Sequence, residues 1–432
     1  MASSLNILAL SWRCTRHPQA GGSELNLFEQ ARRWAEAGNG VTVFCADPGR
    51  QYAPSRDETH DGIEVRRRGG RFTVYLHGAI FLLRNSQNFD RVLDVWNGIP
   101  FFAVLFSSKP VVLLVHHIHD RQWFMEFPRL LAAFGRFVER RVAPFLHRRV
   151  PVITVSRTSA EALVGIGMER SQIHIVHNGV NRTEWSPEGE HPLGHSIAYV
   201  GRLKQYKRLD RLIRAVANLR REIPDVHLNI AGQGDARTEI EMLIDELGLK
   251  HHVTMHGFVD EETKERILRT ASVFAMPSMQ EGWGLSVLEA NSCGCPAVAY
   301  DVPGLNAAIR NNETGVLARD DDSFQCALAV LLQDPTTRER YSIAARAWAE
   351  QFSWESCAKQ TLEILYRGTS PQPSITEKGT IDGLIGRVEP PMSASAELGA
   401  TETTAYEKEA GYSIVPEPDA LLKSKSHARV RA

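Results

Sequence analysis

The folds open to this chain are limited first by an alternation, run twice along the sequence, of short apolar runs with longer segments whose apolar residues recur at helical spacing. Residues 5–12 form the first run, Gln19-Ala20-Gly21-Gly22 turns the chain, and Leu27, Phe28, Ala31, Trp34 and Ala35 then share one helical face up to Gly38. Residues 41–46 supply the next run. Parallel neighbours can be joined only by a crossover, usually a helix, so strand, glycine turn, helix, strand is the start of a doubly wound α/β sheet. Residues 63–67, 91–96, 110–115, 152–155 and 173–176 read as further strands, with 74–83 and 99–106 as helices.

The alternation stops at residues 181–192, which have no apolar period and carry two prolines; the domain linker is expected there. It restarts with strands at 196–200, 226–231, 253–259, 273–277, 297–300 and 315–317. Between them, Leu209, Leu212, Ile213, Val216 and Leu219 line one helix face, and Ile240, Leu243, Ile244 and Leu247 another. A length of 432 residues also exceeds what one core supports. Two doubly wound domains follow, residues 1–183 and 184–351, with a late helix at about 352–367. Residues 368–432 turn to Ser, Thr, Pro, Glu and Ala without an apolar period and are expected to be a disordered tail.

In open sheets of this kind, ligands bind beyond the carboxyl ends of the strands. Several residues stand there. Gly21 and Gly22 follow the first strand, and His116 and His117 end the strand at 110–115. Arg202 follows the strand at 196–200, Lys207 precedes the next helix, and Phe258 stands near the end of the strand at 253–259, which leads into a loop. The fullest motif is residues 277–296, where Glu281, Gly282, Trp283 and Gly284 turn into a helix opening near Leu285, with Glu289 about two turns on. A helix start of this kind favours an anion. Two carboxylates there would repel that anion, so they suit the acceptance of hydrogen bonds from hydroxyls flanking it.

Metal chemistry has little support in the sequence. Asp94-Val95-Trp96 is not a D-x-D, and strand alternation sends His116 and His117 to opposite faces, away from a shared site with His119. The six cysteines lack a framework spacing, as expected of a reducing compartment. A formal net charge of −1 gives no case for nucleic acid as a partner. The start of the chain lacks the basic flank of a signal peptide, and no apolar run is long enough to span a membrane, so a cytoplasmic location is expected. Residues 121–149 are the local exception, with seven arginines against Glu126 and Glu139 and six aromatics interleaved. Two arrangements are open: aromatics packed into the core with arginines in water, or a peripheral contact of 121–149 with the inner face of an anionic membrane.

Glu281 and Glu289, set between Pro277-Ser278 and Cys293-Gly294-Cys295-Pro296, resemble the E-x7-E motif of the retaining glycosyltransferases of family 4. The resemblance covers roughly residues 5–366. It implies a GT-B fold, two Rossmann-like domains facing a central cleft, with the late helix returning to the first domain. It implies transfer of a hexosyl residue, of mannose or glucose type, from a nucleotide-sugar donor such as GDP-mannose or a UDP-hexose. The acceptor would be a lipid-linked, glycan or small-molecule hydroxyl, and neither metal nor cofactor is expected. Carried onto this chain, the catalytic set is His116, Arg202, Lys207 and Glu281, with His117 as the neighbouring choice for the histidine. The donor-binding set is Gly21, Gly22, Arg202, Lys207, Phe258, Glu281, Gly282, Trp283, Gly284, Leu285 and Glu289. Arg202 and Lys207 would take the phosphates, Glu289 the ribose hydroxyls, Glu281 those of the sugar, and Phe258 would border the base. One departure is the loop at 301–308, where Pro303 replaces a glycine and Ala307 an acidic residue. A nucleotide-sugar epimerase or phosphorylase on the same fold, and a catalytically silent nucleotide-sugar sensor or scaffold, are the rival readings.

Overall fold

The computed structural model describes residues 4–181 and 194–367. The expected linker, apart from Asn181, and the expected disordered tail lie outside the described residues. The first domain is an eight-stranded sheet built from β1 (Asn6–Leu10), β2 (Gly40–Cys45), β3 (Asp57–His60), β4 (Ile63–Arg67), β5 (Arg91–Trp96), β6 (Val111–Val115), β7 (Val152–Thr154) and β8 (Ile173–Ile175). Its order is β3-β4-β2-β1-β5-β6-β7-β8, parallel except for β3, which pairs antiparallel with β4. The second domain contains β9 (Ser196–Val200), β10 (His227–Ala231), β11 (Val253–Gly257), β12 (Val273–Met276), β13 (Ala297–Tyr300) and β14 (Gly315–Ala318), ordered β11-β10-β9-β12-β13-β14 and parallel throughout.

Both domains are held as their apolar periods require. Leu209, Leu212, Ile213, Val216 and Leu219 of the helix Leu209–Leu219 are buried against the second sheet, each worth about 2 kcal/mol relative to exposure. The helix Trp354–Arg367 packs on Gly22–Glu36 of the first domain and shares its core through Trp354, Cys357, Ala358 and Leu365. The Trp34 indole donates to the Ala358 carbonyl at 2.9 Å, and Arg33 pairs with Glu355 at 2.6 Å. The second domain is therefore followed by a helix that belongs physically to the first.

Two segments differ from the sequence reading for identifiable reasons. β3 is an additional edge strand, turned into β4 by Asp61-Gly62, both at positive φ (50° and 75°), a two-residue hairpin of the Asp-Gly kind. Residues 99–106 do not form the expected helix; only Ala103–Leu105 makes a 3-10 turn. The buried Asp94 carboxylate accepts from the backbone N–H groups of Phe101 (2.8 Å) and Ala103 (3.0 Å), and Phe102 adopts a left-handed conformation between them. That local pull on the backbone overrides the apolar period.

Candidate active site between the two domains

The carboxyl edges of the two sheets face one another, and the loops that leave them touch. The first-domain turn at Gly21 opens the helix Gly22–Glu36, and the Glu24 carboxylate accepts from the Gly21 N–H at 2.8 Å. A Cβ on Gly21 would lie 3.4 Å from Nε of Arg202, so the missing side chain lets a second-domain guanidinium rest against the first-domain turn. Gly22 faces the Leu285 side chain across the same gap.

Arg202 leaves β9 and is fixed at both ends. Its carbonyl accepts from the Tyr199 hydroxyl (3.1 Å) and its Nη2 donates to the Tyr206 hydroxyl (3.1 Å). Burial alone would lower the Arg202 pKa, but Tyr206, Glu24 and Glu281 outweigh it and the pKa is raised. Arg202 makes no ion pair among the described residues, and it keeps its charge in the cleft within reach of Glu24 and Glu281. Lys207, also buried, is ion-paired with Glu281. Burial opposes its charge, while Glu281 restores it and raises its pKa.

The motif turn is braced from the altered loop. The Glu281 N–H donates to the Pro303 carbonyl at 3.0 Å, and Gly304, at φ 86°, packs so close that a Cβ would sit 2.1 Å from the Glu281 carbonyl oxygen. The Pro303 substitution thus keeps a contact with the motif, and Ala307 instead packs against the apolar cluster between the domains. Gly284 enters the helix Leu285–Ser292 in the left-handed region (φ 75°), with the helix N-terminus directed at the turn. Glu289 on that helix pairs with Lys264 at 2.8 Å, and Lys264 also holds Glu261. Burial raises the Glu289 pKa, with Lys264 opposing. Each carboxylate of the motif therefore holds a lysine, whereas Arg202 is in no ion pair among the described residues.

The strand-end histidines divide the work. The His116 carbonyl accepts from the Ser159 hydroxyl (2.9 Å), and a Cβ on Gly282 would lie 2.9 Å from that same oxygen. Gly282→Ala is expected to pry these loops apart at a cost of about 1–3 kcal/mol. Steady-state kinetics would read this as a loss of turnover of roughly tenfold or more, and thermal melts as a fall of a few degrees in melting temperature. The His116 ring is buried, its Nε2 has no hydrogen-bond partner among the described residues, and burial lowers its pKa to about 4 from 6.5. Between those values the unfolded chain takes up a proton that the folded chain refuses. Stability is therefore expected to fall on acidification, by roughly 2 kcal/mol from this group near pH 4.5. Urea melts at about pH 7 and pH 4.5 check this: a His116→Gln variant should lose less stability on acidification than the parent, and an equal loss would remove the assignment.

His117 turns elsewhere. Its Nε2 meets Gln122 at 3.2 Å, its ring stacks on His119 at 4.6 Å, and burial above all, with Arg202 among the charges it feels, lowers its pKa. With Asp120, Arg140, Thr158, Gln280, Glu281 and others it lines a cavity of about 290 Å³ between the domains. Further contacts cross the same gap: Gln280 Nε2 donates to the Ile118 carbonyl (2.9 Å), the Gly304 N–H to Thr158 Oγ1 (3.2 Å), and Lys204 bonds Glu126 (3.2 Å).

Gly21, Gly22, Arg202, Lys207, Glu281, Gly282, Gly284 and Leu285 are thus brought to one cleft, with the His116 carbonyl against Gly282. Two expected donor residues are not packed among these. The Trp283 indole is buried in a hinge cluster, stacked on His177 at 4.2 Å and edge-on to Phe352, because the turn sends it to the apolar side. Phe258, directly after β11, is 78% exposed and belongs to no apolar core cluster. Residues that the sequence reading passed over include Tyr206, which orients Arg202; Lys264, which holds Glu289; and Arg13, buried beside the Gly21 turn. No convergence of three or more His, Cys, Asp or Glu side chains suited to a metal occurs among the described residues.

Comparison with known proteins matches both halves. Residues 20–184 match "Glycosyltransferase Family 4" and residues 182–348 match "Glycosyl transferases group 1". A glycosyltransferase of Methanocaldococcus jannaschii, itself uncharacterised, is 32% identical over 231 residues, 49% of this chain and 59% of the relative. A D-inositol 3-phosphate glycosyltransferase of Jonesia denitrificans is 30% identical over 218 residues, 45% of this chain and 51% of the relative. The chain thus spans between half and three fifths of these relatives' length. The crystal structure of Anabaena HepE in complex with UDP-glucose superposes with a TM-score of 0.67 at 20% identity, covering 84% of this chain and all of the other, which establishes a shared GT-B fold. The two family matches meet at residues 182–184 and together run from residue 20 to residue 348, so this chain belongs to the family 4 glycosyltransferases.

Proposed function

We propose that the protein transfers a hexosyl residue, with retention of configuration and without a metal, from a nucleoside-diphosphate sugar to an acceptor hydroxyl. The observation that carries this is the Arg202 guanidinium, in no ion pair among the described residues and held by Tyr206 against the Gly21 turn, where Gly22 meets Leu285 at the start of the motif helix. As the sugar's anomeric C–O bond breaks, its electron pair goes to the leaving diphosphate. Arg202, the Lys207 ammonium and the helix N-terminus stabilise that growing charge. The acceptor oxygen attacks the face the diphosphate leaves, and its proton passes to a diphosphate oxygen, so no side-chain nucleophile is required. Glu281 keeps Lys207 in place and offers its second oxygen to sugar hydroxyls, and Glu289, held by Lys264, faces the ribose. The neighbour crystallised with UDP-glucose supports a UDP-hexose donor, with GDP-mannose equally suited to the phosphate site.

A thermal-shift screen over UDP- and GDP-sugars, followed by product analysis with the donor that stabilises the fold, tests the reading. Release of nucleoside diphosphate with an α-linked glycoside supports it. An epimerised nucleotide sugar, or tight donor binding with neither transfer nor hydrolysis over an acceptor panel, overturns it.

Peripheral contact with an anionic membrane belongs to the same proposal. Within 121–149 the aromatics do not fill the core as a group: Leu130 is 89% and Phe134 60% exposed, and Phe124, Phe137 and Phe145 are exposed beside Arg121, Arg129, Arg136 and Arg141. Glu139 is buried and receives the Trp123 indole and the backbone N–H groups of His119 and Asp120, so it offers no negative charge to that surface. No helix among the described residues is long and apolar enough to cross a membrane. Vesicles containing phosphatidylglycerol are expected to float the protein where neutral vesicles do not, and Leu130→Ser with Phe134→Ser to lower the bound fraction at least fivefold.

A further inference from the structure

A second group of cations lies in the first domain, beginning at Arg13, within electrostatic reach of Arg202. Arg13 follows β1 and is buried at 7% exposure, yet makes no ion pair among the described residues. Its Nη1 donates to the Gln19 carbonyl (2.8 Å) and its Nη2 to Gln19 Oε1 (3.2 Å), while its buried Nε has no hydrogen-bond partner. A guanidinium buried without a carboxylate is costly unless another anion shares the site. Burial lowers the Arg13 pKa to about 10; of the charges it feels, Glu24 and Glu126 oppose this and Arg202 and Arg71 add to it.

Trp12 joins Arg13 to Arg71. Cζ of Arg13 lies 3.9 Å from the centroid of the Trp12 ring and Cζ of Arg71 lies 5.8 Å from it, while the indole N–H donates to the Arg71 carbonyl at 2.9 Å. Arg71 is exposed, makes no ion pair among the described residues, and lies over Phe127 (4.6 Å) and Phe72 (5.5 Å). From Phe72 an outward apolar stripe runs along the helix Val74–Asn85 through Leu76, Ile80 and Leu83, the last two helical neighbours of the first at i+4 and i+7. Leu76 is 63% and Leu83 67% exposed, an inverted amphipathic helix for a water-facing surface.

We infer that Arg13 and Arg71 form a subsite for the phosphate group of an amphiphilic acceptor, whose hydrocarbon chain lies along Phe127, Phe72, Leu76 and Leu83. The inference rests on the transferase reading and supplies its acceptor class, a hydroxyl-bearing phosphate or diphosphate ester of a lipid. The donor's own diphosphate is met by cations of the second domain, whereas Arg71 leads away from that region to the apolar stripe. Charge at one end and exposed hydrocarbon at the other fit one molecule that carries both.

Calorimetry on the full chain separates the parts. Farnesyl diphosphate, kept below its micelle concentration, is expected to bind; inorganic pyrophosphate should bind at least tenfold more weakly and farnesol weaker still. Arg71→Gln and Arg13→Gln should each weaken farnesyl diphosphate at least tenfold, and Leu76→Ser with Leu83→Ser should weaken farnesyl diphosphate but leave pyrophosphate unchanged. UDP or GDP binding by wild type is the separate check on the donor site, so a failed donor reading is told apart from a failed acceptor subsite. Unchanged farnesyl diphosphate affinity in Arg71→Gln, equal binding of farnesol, or an anion displaced by UDP and lost in Arg202→Ala instead of Arg71→Gln would each overturn the inference.

Discussion

Arg202→Ala is expected to lower kcat by about 10²–10³, the loss typical of removing one preorganised stabiliser of transition-state charge. The expectation follows from what surrounds the guanidinium. Tyr206 and the backbone fix it before any ligand arrives, the Gly21 turn leaves room for it, and it is not neutralised by a carboxylate partner. An interaction prepared in this way costs little reorganisation at the moment the anomeric bond breaks. Lys207, by contrast, already shares its charge with Glu281. Arg202→Lys keeps a charge but loses the forked donor and the bond to Tyr206, so it should fall between wild type and the alanine variant. Tyr206→Phe should cost roughly one hydrogen bond's worth, about 1 kcal/mol or near fivefold. Single-turnover rates with saturating donor measure all three, with unchanged melting temperatures as the control. Near-wild-type turnover in Arg202→Ala would remove Arg202 from the mechanism.

Much of this architecture is legible because strands buried on both faces and helices buried on one leave different periods in the sequence. The two alternations mark both sheets, and the rule that ligands meet the carboxyl edges singles out Gly21, Arg202, Lys207 and Glu281, which the fold brings close together. The losses have physical causes. Asp61-Gly62 is a hairpin signal, but β3 itself, Asp57-Glu58-Thr59-His60, is too polar and short to announce an edge strand. Residues 99–106 carry a helical apolar pattern, and only the buried position of Asp94 reveals that its carboxylate commands that backbone. Trp283 sits inside the motif, yet sequence adjacency does not say to which side of a turn an indole points. Lys264 is 25 residues from its partner and on another element, and Arg13 is a lone cation after a strand. Neither has a spacing to betray it. The outward stripe of Leu76, Ile80 and Leu83 has the period of a buried face, so the sequence could not tell a core contact from a surface one.

The Lys207–Glu281 pair should give the largest effect on stability, and its pattern over variants separates fold from chemistry. Lys207 is buried, with 9% of its side chain exposed against 16% for Glu281, so removing either partner leaves the other charged, poorly hydrated and unpaired. Lys207→Met is expected to cost roughly 3 kcal/mol, and Glu281→Gln about as much, because what is lost is the compensation of a buried ion and not merely one surface contact. Lys207→Met combined with Glu281→Gln removes both charges, and its stability should return to within about 1 kcal/mol of wild type, giving a large coupling in the double-mutant cycle. Turnover should not return with it. The diphosphate needs the ammonium and the sugar hydroxyls need the carboxylate, so the double variant is predicted to be stable and slower than wild type by at least 10². Urea unfolding at neutral pH, set beside initial rates for the same four proteins, makes the comparison. Recovery of both stability and turnover would show that the pair serves only to close the second-domain loops. Additive stability losses would show that the two side chains do not act as one unit.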